Sequence, residues 1–98
     1  MYFVKTDRIN YPVRKGYIMK TNECVVVSIR ELCRQRGLTP NGLANLSGLS
    51  RSTMKSIMNG SSKNTGIVTI KIICDGLDIT LDEFFDTDDF RSLEQEIE

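Results

Sequence analysis

Arg51, Ser52, Lys55, Ser56 and Asn59 recur at the three- and four-residue spacing of one helix face. Every one of these side chains can donate a hydrogen bond, and Arg51 and Lys55 add positive charge. Such a face suits base edges and phosphates better than bond-breaking chemistry. The chain has 0 histidines, which removes nucleophilic triads and most metal sites, and its carboxylates gather at one end rather than around a pocket. No catalytic constellation is expected, and no cofactor. Met54 and Ile57, at i and i+3, give the same helix an inward face.

The segment ahead of this face is built to position it. Ala44 stands where two helices would cross, and only a small side chain permits close approach there. Gly48 follows four residues later, where the turn between the helices needs a positive φ. Ser50 is a favoured N-cap for the helix that carries Arg51. The stretch from Leu38 to Gly60 therefore reads as a helix, a tight turn and a second helix, the arrangement that lays one helix in a DNA groove.

Other elements surround this pair. A first helix is expected over Val26–Arg36, with Ile29, Leu32 and Cys33 inward and Gly37 as its stop. The second helix, Pro40–Leu46, takes Thr39 as N-cap and Pro40 as first residue, and is held by Leu43 and Leu46 despite Gly42. The third runs from Ser50 or Arg51 to Met58 and is stopped by Asn59-Gly60; a polar loop, Ser61 to Gly66, follows. A fourth covers Val68–Gly76 with Ile70, Ile73, Cys74 and Leu77 inward. In a fifth, Thr80 is the cap and Leu81, Phe84 and Phe85 close the core. Phe90, Leu93 and Ile97 share one helical face, so a last amphipathic helix is expected over Asp88–Ile97.

At 98 residues the chain has room for one domain, with a division at 1–24, 25–86 and 87–98 into extension, helical domain and acidic amphipathic tail. Met19-Lys20 also reads as a bacterial start, with Arg14-Lys15-Gly16 able to be encoded by a purine-rich ribosome-binding run just before it. Residues 1–18 are thus either translated upstream sequence or an extension with short strands at Tyr2–Val4 and Tyr17–Met19. The three cysteines, Cys24, Cys33 and Cys74, fit no zinc spacing; Cys33 and Cys74 fall on apolar helix faces, and Cys24 is expected before the first helix, exposed. There is no run of about eighteen apolar residues and no signal-peptide pattern. A soluble cytoplasmic chain of bacterial or phage origin is expected, with no membrane and no small-molecule ligand.

The net charge of 0 hides a split: 19–77 carries net +5, 78–98 net −8 and 1–18 net +3. A basic body is what phosphate contact requires, and the acidic end should point away from the duplex. The tail reads as a solvated end, a partner-binding surface or a brake on nonspecific DNA affinity.

Leu38-Thr39, Leu43-Ala44, Gly48-Leu49-Ser50, Thr53, Ile57 and Asn59-Gly60 together resemble the DNA-binding domain of the Cro/CI-like, Xre-type phage repressors. The likeness extends from the first helix at Val26 to Phe85. It implies an all-α, five-helix lambda-repressor-like domain that binds double-stranded DNA as a sequence-specific transcriptional regulator, a repressor and a homodimer. An antitoxin-like or phage-encoded interaction module acting through the acidic end is the alternative. By motif position, the resemblance puts Arg51, Ser52 and Ser56 on bases, with adjacent Lys55 able to reach a base or phosphate. Arg51 can pair its fork with guanine or clamp a phosphate. Thr39, Asn41, Ser50, Asn59, Ser61 and Lys63 are expected at phosphates, although Asn59 serves equally as a helix stop. Two departures stand out. Pro40 replaces a Gln that the family uses at the start of the second helix, and Cys33 and Met58 replace a buried Arg–Glu pair. Ile72, Phe90, Leu93 and Ile97 are the apolar residues expected to be free for a dimer contact.

Overall fold

The computed structural model describes residues 19–96, and all regular structure among them is helical. The short strands considered for the N-terminal segment fall outside the described residues, apart from Met19. The order is α1 (Thr21–Arg36), α2 (Pro40–Ser47), α3 (Arg51–Met58), α4 (Ile67–Leu77), α5 (Leu81–Phe85) and α6 (Asp88–Arg91). The lambda-repressor-like arrangement of five helices is present, with α6 added as a single turn.

Local signals set most of the boundaries. Thr39 Oγ1 accepts from the Gly42 N–H at 3.0 Å, Ser50 Oγ from the Thr53 N–H at 3.1 Å, and Thr80 Oγ1 from the Glu83 N–H at 3.3 Å. Glu83 returns the contact to the Thr80 N–H at 2.8 Å, completing a capping box. Gly37 and Gly48 sit at φ 66° and 77°, the left-handed conformation that ends α1 and α2. Asp78 takes the same role after α4 with φ 59°, and Arg36 Nη1 donates to the Leu77 carbonyl at that helix end, which favours a cation.

The core joins Ile29, Leu43, Ala44, Met54, Ile57, Ile73, Leu77 and Phe84, each at most 2% exposed. Cys33 is buried and Met58 half-buried against this core, so both places of the family's buried ion pair are filled by apolar groups. That leaves no charge stranded there. Burial pushes the Cys33 and Cys74 thiols up, which keeps them protonated and unreactive at neutral pH.

Four expectations are corrected. First, α1 starts at Thr21, five residues before the expected Val26, so Cys24 lies inside the helix and is 0% exposed. The β-branched run Val25–Val27 weakens helix propensity, but packing overrides it, and Glu23 Oε1 secures the start by accepting from the Lys20 N–H at 2.8 Å. Second, Leu46 is 60% exposed. The inward stripe of α2 runs through Leu43, Ala44 and Ser47, which leaves Leu46 on the other side. Third, α6 ends at Arg91 rather than continuing toward Ile97, which lies outside the described residues. Phe90 turns inward onto Phe84 and Phe85, with centroids 5.9 and 4.9 Å away. The chain then returns to α1, where Glu96 accepts from Thr21 Oγ1 at 2.7 Å. Fourth, Ile72, Phe90 and Leu93 are half-buried; the large apolar residues left exposed are Leu46, Ile67 and Val68.

Gly76 lies in the last turn of α4, one residue before its end, and α2 packs on α4 through it. A Cβ there would overlap Ser47 Oγ and stand 3.2 Å from Ser47 Cα. The approach is so close that the buried Ser47 hydroxyl has no hydrogen-bond partner among the described residues. At Gly42, by contrast, a Cβ would meet Thr39 Oγ1 at an ordinary 3.4 Å. The two glycine-to-alanine changes should therefore have opposite signs. Gly42→Ala is expected to stabilise by up to about 1 kcal/mol. Gly76→Ala is expected to destabilise by about 1–3 kcal/mol, because α2 and α4 must part. Thermal melts of both variants check this, and an unchanged midpoint for Gly76→Ala would show that the two helices separate at no cost.

Candidate nucleic-acid interface

Ser50 fixes how α3 begins. Besides accepting from the Thr53 N–H, its hydroxyl donates to Thr53 Oγ1 at 2.8 Å and lies 3.2 Å from Ser52 Oγ. Met54 and Ile57 are then buried, while Arg51, Ser52, Thr53, Lys55 and Asn59 are exposed and Ser56 is half-buried. The donor face read from the sequence is thus assembled on the outside of α3, anchored by its own apolar side.

Two open grooves flank that face. One, of about 750 Å³, lies between the start of α2 and α3; Thr39, Pro40, Asn41, Arg51, Lys55 and Met58 are among its walls. The other, of about 350 Å³, joins Ser52 and Ser56 to Ser62, Asn64, Thr65 and Thr69. The loop after α3 is folded back toward it by the Ser62 N–H, which donates to the Ser56 carbonyl at 3.0 Å. Asn41 is therefore brought beside Arg51, whereas Ser61 and Lys63 are exposed in the loop and line neither groove. Thr39, Ser50 and Asn59 are occupied locally: the first two cap helices, and Asn59 Oδ1 accepts from the Ser61 N–H at 2.9 Å. Sequence reasoning missed Met58 as a groove wall and Ser62, Asn64, Thr65 and Thr69 as a polar wall. The composition of the loop was visible, but its place beside α3 required the fold.

The cations divide in the same way. Arg34 pairs with Glu31 at 2.6 Å, Lys71 with Asp75, and Arg91 with Asp86 at 2.6 Å and Asp88 at 2.9 Å. Among the described residues no carboxylate lies within ion-pair distance of Arg51, Lys55 or Lys63. The acidic end is held elsewhere: α6 packs on α1, and hydrogen bonds from Thr21 hold the Glu96 carboxyl below its ordinary range. The α3 side is left electropositive by this partition.

A model of the Cro/C1-type helix-turn-helix DNA-binding domain matches residues 28–89, most of the chain. The chain belongs to this family. Two solved structures agree with that assignment. Prophage Lp1 protein 11 is 38% identical, with a TM-score of 0.68 over 76% of this chain and 100% of its own. An HTH_3 family transcriptional regulator from Vibrio cholerae is 28% identical, with a TM-score of 0.62 over 69% of this chain. This chain spans 38% of that regulator's length. No curated protein matches the sequence. The Cro/C1-type assignment makes the chain a DNA-binding transcription regulator, and the helix-turn-helix is the α2–α3 pair. Among the described residues no helix is long and apolar enough to cross a membrane.

Proposed function

We propose that the chain is a sequence-specific repressor that inserts α3 into the major groove of double-stranded DNA. The observation that carries this reading is the donor face of α3, where Arg51 and Lys55 are exposed beside Ser52 and Ser56 with no carboxylate within ion-pair distance among the described residues. Arg51, Ser52, Lys55 and Ser56 read bases. Asn41, Ser61 and Lys63 contact phosphates, joined by Thr39, Ser50 and Asn59, whose caps also fix the backbone N–H groups that face the duplex. The protein acts in the cytoplasm of a bacterium, from its own genome or a phage's, and needs no cofactor or small-molecule ligand. It is not an enzyme.

A homodimer fits this role, since two half-sites one helical turn apart multiply affinity. The tail contact first expected for such a dimer is weakened because Phe90 is used within the chain; Ile67 and Val68, 56% and 69% exposed at the start of α4, are the better candidates. The interaction-module alternative keeps only the charge split in its favour, since Glu96, Asp86 and Asp88 already have partners within the chain.

A gel shift on the gene's own promoter region across a salt series tests the reading. Binding should fall steeply as salt rises, with a log–log slope near one per phosphate neutralised. Binding that is absent, or indifferent to salt, would overturn it.

A further inference from the structure

The groove between α2 and α3 borders the base-reading face, yet its wall is mostly carbon. Pro40, Met54 and Met58 supply the carbon, while Thr39, Asn41, Ser52 and Asn59 line it too and Arg51 and Lys55 add charge. Two of its polar neighbours have their acceptors engaged, Thr39 Oγ1 by the Gly42 N–H and Asn59 Oδ1 by the Ser61 N–H. Pro40 also brings a ring to the first position of α2 and has no N–H to offer a phosphate. The donors on its walls suit phosphates, but the carbon between them has no use for a phosphate. Carbon beside cations instead matches a surface that is apolar at one point and anionic around it. On the major-groove edge of DNA that point is the C5-methyl of thymine.

We propose that this groove seats a thymine methyl next to the base pair that Arg51 reads, with Pro40 and Met58 as the contacting side chains. The inference rests on α3 lying in the major groove. The groove, about 750 Å³, is open to solvent beside the outer face of α3, so a methyl on a base edge can reach its carbon wall. Met58 is half-buried and unbranched, so its thioether can adjust to the methyl without disturbing the core. Arg51 can then pair bidentately with the neighbouring guanine while the groove recognises the pyrimidine beside it. Specificity at the second base would come from apolar burial and hardly depend on salt.

The test begins with a site selected by the full chain from randomised duplexes. Each thymine of that site is then replaced in turn by deoxyuridine, which removes the methyl and keeps every phosphate and base pair. At one thymine per half-site, loss of the methyl should weaken binding about fourfold, the value of one buried methyl group; other thymines should change little. In Met58→Gln the thymine-to-deoxyuridine ratio at that position should fall to about one, and Pro40→Ala should lower it in the same direction. A melt of each variant confirms folding, and Pro40→Ala alone decides the matter if Met58→Gln does not fold. Tight selective binding with no methyl-sensitive thymine would overturn the groove assignment and leave α3 in the major groove. Discrimination that persists in both variants would overturn it too. Failure to select any site would overturn both readings.

Discussion

Phe84→Ala is expected to cost about 3–5 kcal/mol, the usual loss for emptying a buried aromatic site. Phe84 is 1% exposed and meets Phe85 edge-on at 5.0 Å and Phe90 at 5.9 Å. It also lines the groove where α1 faces α5 and α6. Those two helices have 5 and 4 residues, too short to persist on their own propensity. The three rings hold them to the core, so the variant should release α6 and the Glu96–Thr21 contact together with the ring. Against a total stability of about 5–15 kcal/mol this is severe. The melting midpoint should drop by on the order of 20 °C. A drop of only a few degrees would mean that α5 and α6 are anchored by something other than the ring cluster.

Arg51→Ala is expected to lower the preference for the selected site over random DNA by roughly 1–3 kcal/mol, about 5- to 150-fold, and to relax one base pair of the recognition sequence. Arg51 is exposed at the first position of α3, no acid is paired with it among the described residues, and it edges the larger groove. Lys63→Ala serves as the contrast, because Lys63 sits in the loop beyond both grooves. It should weaken all duplexes alike and reduce the salt slope by about one. Equal losses of specific and random binding in Arg51→Ala would make Arg51 a phosphate clamp instead of a reader. Competition gel shifts with both variants separate the two roles.

The sequence by itself determined the helix-turn-helix and its orientation. The caps at Thr39, Ser50 and Thr80, the left-handed glycines 37 and 48, and the inward pair Met54 and Ile57 all act within one or two turns of chain. Signals of that range can be read from residue type and spacing, and they fix which face of α3 is outward. Where a signal depended on distant residues, sequence reasoning fell short. The start of α1 and the burial of Cys24 come from packing that outweighs a β-branched run. Leu46 is exposed because Ser47 takes the inward place against Gly76, a residue 29 positions further along the chain in another helix. Phe90 is inward because Phe84 and Phe85 are there to receive it. The grooves beside α3 likewise have walls from α2, α3, the following loop and α4. Periodicity records which side of a helix is apolar; only the tertiary structure decides which apolar groups meet another helix and which remain to line a groove, because close packing depends on the shapes of both partners.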